Sequence, residues 1–173
     1  MHKTILIAFF LSITLFLFSV EALSDGYKDF KLGMSMEQVK SILEKSPDFN
    51  SRKNEVLSMR LEPDTEIIST EGYGYILTGY FHFYHDALYQ ILLKLSETRI
   101  GYYYILKNFT DRFGKPKIFT PKKATWENDK IRITLEKPCT LKYIYLPVWN
   151  GLTKEKEDKD LFEKERKKFI DGL

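Results

Sequence analysis

One stretch, from Tyr73 to Leu95, constrains the fold more than any other, because it has the pattern of two β-strands joined by a short turn. In its second half, hydrophobic residues occupy every other position, which is typical of a strand with one buried face. Such a strand needs a sheet to bury that face, so the stretch predicts a sheet around itself. The alternating positions are Tyr89, Ile91, Leu93 and Leu95.

The turn between these two strands is predicted to contain three residues. With that turn, Phe83 lies opposite Tyr89 and Phe81 lies opposite Ile91, so all four side chains share one face. A register shifted by one residue would turn the two Phe side chains away from the hydrophobic set. We therefore expect the turn to consist of residues 85–87.

Two amphipathic helices are predicted on either side of this hairpin. The first spans residues 36–45, where Ser35 and Gln38 have the spacing of a capping box. The second spans residues 102–113 and ends at Gly114, which is followed closely by a proline. Its hydrophobic residues recur at helical spacing and form one stripe. They are Tyr102, Ile105, Leu106, Phe109 and Phe113.

Further strands are predicted before and after the second helix. Residues 55–61 precede the hairpin as a strand, and the structure of residues 67–70 stays open between strand and loop. Three strands follow the second helix, and a turn at residues 127–130 joins the first two as a hairpin. These strands are residues 118–126, 131–136 and 141–146.

The resulting order of elements is helix, three strands, helix, three strands. It predicts an α+β fold in which two αβββ units, about residues 34–97 and 102–147, build an antiparallel sheet with helices packed on one face. Sequence identity between the two units is weak, so the repeat is one of element order. Together they form a predicted α+β domain over residues 23–149.

The N-terminal segment predicts export. Residues 4–20 are hydrophobic and uncharged, follow Lys3 and lead into a small-x-small triplet that ends at Ala22. A positive start, an apolar centre and small residues at the cleavage site are typical of a secretory signal peptide, here residues 1–22. We therefore expect a periplasmic or secreted protein.

An alternative is that residues 4–20 stay in place as a membrane anchor. Their length is at the lower limit for crossing a bilayer. A lipid anchor on a cysteine next to this segment is excluded, because Cys139 is the only cysteine of the chain. Contact with a membrane is therefore expected only if the segment is not cleaved.

Composition excludes a chain that is disordered throughout and gives no support for a nucleic-acid partner. Hydrophobic residues make up 43% of the chain and aromatic residues 15%, so there is ample surface for a core and the chain is not disordered throughout. The formal net charge of +3 is too small to predict a nucleic-acid partner. Charge is concentrated in residues 150–173, which are predicted to form a charged C-terminal helix with several favourable i,i+4 pairs.

The residues that carry catalytic or metal chemistry are sparse. His82 and His85 point to opposite sides of an extended segment, so they do not converge on one metal ion. The chain contains no helical His-Glu-x-x-His pattern, no pair of cysteines and no Gly-x-Ser-x-Gly motif. Cys139 is interpreted as a structural thiol. We therefore expect no metal, no cofactor and no enzymatic activity.

The second face of the hairpin is the candidate binding surface, because tyrosine is a frequent anchor at protein interfaces. Two interpretations remain open. The C-terminal helix or the loop at residues 46–54 covers this face, or the face is free for a ligand or partner. The candidate residues are Tyr80, His82, Tyr84, Gln90 and Lys94.

Several short motifs resemble those of a known class of exported domain. They are the run of residues 30–39, the Phe-Gly-Lys-Pro sequence that begins at Phe113, Trp126, and the alternating strand from Ile131. Over residues 28–147 the chain resembles the outer-membrane-assembly lipoprotein (SmpA/OmlA) fold and its tandem form in β-lactamase inhibitor proteins. This resemblance implies an exported, non-enzymatic binding module, although the chain lacks the N-terminal cysteine of the lipoprotein form.

Two functions therefore compete. The first is an exported, non-enzymatic protein-binding or envelope-assembly module, with an envelope or secreted protein as its partner. The alternative is a small exported hydrolase with a site on the sheet face, built from His82 and carboxylates. A hydrogen bond between His82 and an Asp or Glu would favour the hydrolase.

Overall fold

A computed structural model describes residues 21–50, 55–58 and 64–172. Most of the predicted signal peptide, and with it the alternative anchor at residues 4–20, lies outside these ranges. Within them, no helix is both long enough and apolar enough to cross a membrane.

Three helices and ten strands make up the described chain. The helices are α1 (Met36–Lys45), α2 (Tyr102–Phe113) and α3 (Leu146–Ile170). The strands of the first half are β1 (Gly26–Tyr27), β2 (Phe30–Lys31), β3 (Glu55–Ser58), β4 (Thr65–Glu71), β5 (Ile76–Tyr84) and β6 (Ala87–Leu95). Those of the second half are β7 (Ile118–Phe119), β8 (Lys123–Glu127), β9 (Ile131–Glu136) and β10 (Thr140–Tyr145).

The predicted α+β fold is confirmed, with one antiparallel sheet at its centre. The order of strands in that sheet is β3-β4-β5-β6-β10-β9-β8-β7, so each half contributes one side and β6 pairs with β10 in the middle. Each half contributes one strand more to this sheet than predicted. Residues 67–70 belong to β4, and the segment 118–126 divides into β7 and β8.

The turn of the central hairpin differs from the prediction. It contains two residues, His85 and Asp86, rather than three, and Phe83 lies opposite Leu88 rather than Tyr89. Both turn residues have positive φ, 47° and 61°, as two-residue hairpin turns of type I′ require. Neither is glycine, so the usual sequence signal of a two-residue turn is absent.

A β-bulge corrects the register behind the turn. The pairing shifts between His82 and Phe83, so that Phe81 lies opposite Ile91, as predicted. The extra residue of the bulge is Tyr89 on β6, and it lets Leu88 and Ile91 both point to the buried face, where they are 1% and 0% exposed. The predicted face is therefore correct for Phe81, Phe83 and Ile91. It is wrong for Tyr89, whose ring lies 6.1 Å from that of His82 and is not part of the core cluster, and the predicted turn is wrong as well.

Both predicted helices have the expected bounds. The Ser35 side chain accepts from the Gln38 backbone N–H, and the Gln38 side chain accepts from the Ser35 backbone N–H, which completes the capping box of α1. Helix α2 ends at Gly114, whose φ of 79° favours glycine. The Gly114 carbonyl also accepts a hydrogen bond of 2.8 Å from Nε1 of Trp126.

We call the buried side of the sheet the inner face, defined by Phe81, Ile91 and Ile133. All three are 0% exposed, and they belong to one hydrophobic core that also contains the buried stripes of α1 and α2. The opposite side, with Tyr80, His82, Tyr84, Gln90 and Lys94, is the outer face.

Helix α3 begins earlier than the predicted charged segment and follows β10 directly. Leu146 is buried at its start, whereas residues 153–170 are exposed along their whole length. The hydrophobic residues of this exposed part do not form a buried stripe. They are Leu161, Phe162, Phe169 and Ile170.

Candidate functional site

The outer-face residues predicted as a binding surface lie on β5 and β6 but differ in exposure. Gln90 is buried, Lys94 is exposed, and Tyr80, His82 and Tyr84 are half-buried. Across the two strands, His82 lies opposite Gln90. The structure thus brings these residues onto one face without making them one open site.

The buried end of the outer face is centred on Gln90 and Ile144. These residues lie opposite each other on β6 and β10, and they are 6% and 4% exposed. Helix α3 contacts both strands, so its first turns are the element available to cover this end.

The other end of the outer face is more open. There the Nζ of Lys94 lies 5.4 Å from the centre of the Tyr80 ring. The described part of the loop at residues 46–54 does not cover this face, because Phe49 packs against Phe81 on the inner face. Of the two predicted covers, only α3 therefore contributes to the outer face within the described chain.

His82 does not form the acid–base pair that a hydrolase would need. Its ring lies 6.1 Å from that of Tyr89, and burial lowers the pKa of His82 to about 4. No hydrogen bond joins it to a carboxylate of the described residues. The imidazole is therefore neutral at physiological pH and has no described partner to orient it as a base.

A cavity of about 630 Å³ opens on the inner side of the sheet, where the two halves meet. It lies between α2, the β1–β2 ribbon and the sheet, in the size range of pockets that hold one small ligand. Its hydrocarbon lining comes from the sheet and from the buried stripe of α2. These residues are Ile76, Leu93, Leu95, Leu141, Ile105 and Phe109.

One polar group at the cavity is a hydrogen-bonded cluster on Asp48. The Tyr27 hydroxyl donates to Oδ2 of Asp48 at 3.0 Å, and Nζ of Lys28 lies 2.5 Å from the same oxygen. Burial, reinforced by the negative charge of Asp48, raises the pKa of Tyr27 well above its ordinary value. The negative charge of Asp48 is thus already compensated by Lys28.

A second polar group is the hydroxyl of Tyr143, which projects from β10 into the cavity lining. The side chain is 5% exposed, and no described residue forms a hydrogen bond with its hydroxyl. Burial, and then the nearby Tyr27, raises the pKa of Tyr143, whereas Arg112 acts in the opposite direction. The phenol therefore stays protonated and offers an unused donor.

Arg112 contributes a cation to the lining from the last turn of α2. Its guanidinium carbon lies 4.9 Å from the centre of the Phe113 ring. Its charge is paired with Glu21, with 2.9 Å between a terminal guanidinium nitrogen and Oε2. Glu21 lies within the predicted signal peptide, so this pair depends on whether that segment is retained.

Sequence reasoning missed the cavity because its residues were assigned to the core. Ile105 and Phe109 were correctly placed on the buried stripe of α2, but the pattern does not tell how closely a helix approaches the sheet. The sequence of β10 contains one signal of the cavity. The alternation of β10 places Tyr143 on the inner face, and a buried tyrosine hydroxyl ordinarily has a hydrogen-bond partner.

The described residues contain no group of three or more His, Cys, Asp or Glu side chains placed to hold a metal ion. Cys139 is 2% exposed, and burial raises the pKa of its thiol, with a smaller contribution from Glu97. A thiol in that state is a weak nucleophile.

Comparison with known proteins gives one match. The family model of the TP0088 domain matches residues 25–155, which include both halves of the sheet and the whole cavity lining except Ser24. No curated protein and no solved structure matches the chain significantly.

Proposed function

The chain belongs to the TP0088 domain family, and from this premise we propose that it is an exported, non-enzymatic binding module whose cavity holds a small apolar molecule. The observation that carries the proposal is the cavity itself. It has a hydrocarbon lining, and the largely buried Tyr143 side chain lines it with a hydroxyl that forms no hydrogen bond to a described residue. Apolar pockets with a few polar groups are the usual form of small-molecule sites.

The chemistry of the described residues supports binding rather than catalysis. The hydrolase alternative needs His82 beside a carboxylate, and no such hydrogen bond occurs in the described ranges. The tyrosines at the cavity have raised pKa values, so they are neutral donors rather than bases. A hydrolase therefore has no observation in its favour.

Export is proposed from the sequence of the N-terminal segment. A charged start, an uncharged hydrophobic centre and Ala22 at the predicted cleavage site support it. The mass of the protein recovered from the cell envelope tests this part. A chain beginning at Leu23 supports cleavage, and a chain that retains Met1 supports the anchor instead.

A protein partner in the envelope is the second part of the proposal. The open end of the outer face, with Tyr80 and Lys94, is the surface that supports it, since tyrosine is enriched at interfaces. Crosslinking in the envelope through a photoreactive residue at Lys94 tests this part. Adducts at Lys94 but not at the buried Gln90 support it, and the absence of any adduct contradicts it.

Binding in the cavity is tested with N-phenylnaphthylamine, a neutral apolar probe whose fluorescence rises in apolar surroundings. We expect saturable binding to the protein purified from the envelope. Asn108 is exposed and lines the cavity on α2, so Asn108→Trp should block binding without disturbing the core. Lys107→Trp, one residue away and outside the cavity lining, is the matched control and should bind as the wild type does.

Two results would contradict the proposal. One is a protein that does not enhance the fluorescence of the probe. The other is equal binding by Asn108→Trp and Lys107→Trp, which would place the probe elsewhere on the molecule.

A further inference from the structure

The polar groups of the cavity specify the chemistry of its ligand more closely. Resting on the proposed binding function, we infer that the cavity takes a single-chain amphiphile with an anionic head, in chemical terms a long-chain carboxylate. Its head lies at Arg112 and the Tyr143 hydroxyl, and its chain lies against the hydrocarbon side chains of the sheet and of α2.

The charge of the lining favours an anion. Among the lining residues there are two cations, Lys28 and Arg112, and one carboxylate, Asp48. Asp48 is engaged by Tyr27 and Lys28, so it cancels the charge of Lys28 and leaves that of Arg112. The lining therefore carries a net positive charge.

The counterion of Arg112 is the part of this arrangement that export would change. Glu21 pairs with Arg112 from outside the cavity lining, and it precedes the predicted cleavage point after Ala22. Cleavage there removes Glu21 and leaves the guanidinium without that carboxylate. The exported form thus has a free bidentate donor for a carboxylate head.

Tyr143 adds a neutral donor to the lining that contains this cation. Arg112, Tyr27 and Tyr143 all line the same cavity. A phenol that stays protonated can donate to a carboxylate oxygen but cannot form an ion pair with a cationic ligand. Donation from Tyr143 therefore favours an anionic head over an ammonium head.

The apolar part of the lining suits a hydrocarbon chain. Leu93, Leu95 and Leu141 on the sheet and Ile105 and Phe109 on α2 offer no side-chain hydrogen-bonding group. An unpaired charge among them would be costly, whereas a chain gains by leaving water. A charged head is thus excluded from this part of the cavity.

Displacement of N-phenylnaphthylamine by three probes that share a twelve-carbon chain tests the inference. The probes are dodecanoate, dodecanol and dodecyltrimethylammonium, with the two ionic probes below their micelle concentrations and dodecanol below its solubility limit. We expect dodecanoate to bind about tenfold more tightly than dodecanol, as hydrogen bonds to a charged group allow. The ammonium probe should bind most weakly. Equal binding of dodecanoate and dodecanol, or tighter binding of the ammonium probe, would overturn the inference.

Matched variants locate the head. Arg112→Gln should weaken dodecanoate about tenfold and leave dodecanol unchanged, whereas Lys107→Gln on the same helix should change neither. Tyr143→Phe should weaken dodecanoate roughly fivefold, and Tyr145→Phe, two residues further along the chain, should not. Arg112→Lys keeps the positive charge, so the three probes should keep their order of affinity. This variant therefore distinguishes an effect of charge from an effect of a disturbed fold.

Failure of the inference and failure of the proposed function give different results. If N-phenylnaphthylamine binds and Asn108→Trp blocks it, but the three probes show no headgroup preference, the cavity binds apolar ligands and the inference is wrong. If the neutral probe does not bind at all, the proposed function itself is wrong.

Discussion

The two halves of the molecule have the same order of helix and strands but fill their inner faces differently. In the first half, the rings of Phe30, Phe49 and Phe81 interlock, with centroids 4.8–5.7 Å apart. In the second half, Phe109 packs against Phe113 and Trp126, and the space between α2 and the β1–β2 ribbon stays open as the cavity.

The helices differ in the same way. Helix α1 begins with a complete capping box, and its residues Val39 and Leu43 are 0% exposed. Helix α2 begins after Gly101 without a side-chain cap, and Phe109 remains 8% exposed beside the cavity. A repeat of element order therefore does not impose a repeat of packing. The inner face is filled beneath α1, and space for a ligand remains beside α2.

The largest effect expected from this difference concerns the aromatic side chains. Phe81→Ala should lower the free energy of unfolding by about 3–5 kcal/mol, because it opens a void in a filled region. Phe109→Ala should cost about 1–2 kcal/mol less, because Phe109 already borders open space. Urea denaturation of both variants measures the difference. Equal losses would remove the contrast between the halves.

A second prediction concerns pH and the covered end of the outer face. Burial holds the pKa of His82 at about 4, against an ordinary value of 6.5. Between these values the unfolded chain binds a proton that the folded chain does not, so stability falls as the pH is lowered through this range. The contribution of His82 to this loss is about 3 kcal/mol.

The free energy of unfolding at pH 7 and pH 4, measured for the wild type and for His82→Gln, isolates this contribution. His82→Gln cannot titrate, so it should lose less stability on acidification than the wild type. The same loss in both proteins would show that His82 is not kept neutral by burial.

A smaller effect is expected at Gly79, which gives Phe49 the space to reach the sheet. A Cβ at this position would lie 2.7 Å from Cε1 of Phe49. Gly79→Ala should therefore cost about 2 kcal/mol through overpacking, and Phe49→Leu in the same chain should recover part of this loss. Thermal unfolding measures both. Gly151→Ala is the control, since its Cβ meets no atom within 4 Å and should not destabilise.

The smallest effect is expected at the helix cap that only α1 possesses. Ser35→Ala removes the acceptor for the Gln38 backbone N–H and should cost about 1 kcal/mol. Ser41→Ala, at an exposed position in the same helix, should change stability by less than about 0.5 kcal/mol. Equal values from urea denaturation would mean that the capping box does not stabilise α1.

The elements that sequence predicted well are those with local signals. The bounds of α1 follow from Ser35 and Gln38, and the end of α2 follows from Gly114. The inner face of the central hairpin was predicted from the alternation in β6, even though the predicted length of the turn was wrong. In each case the residues that determine the structure lie within a few positions of the element.

What sequence did not predict depends on contacts between distant segments. The two-residue turn places His85 and Asp86 at positive φ, where the backbone N–H of Met36 donates to Oδ1 of Asp86 at 3.0 Å. The cavity needs Tyr27 near Tyr143, across more than a hundred residues. Neither arrangement leaves a periodic pattern in the chain. The predicted outer-face residues were correctly assigned to one face, but their exposure depends on where α3 packs.

The central claim is that the inner side of the sheet is hollow beneath α2 and filled beneath α1. Methyl chemical shifts during titration with N-phenylnaphthylamine test it most directly. We expect saturable shifts for the cavity methyl groups of Leu93, Leu141 and Ile105, and no shifts for the filled-core methyl groups of Val39 and Ile68. Shifts at Val39 and Ile68 that equal those at the cavity, or no shifts at Leu93 and Leu141, would contradict it.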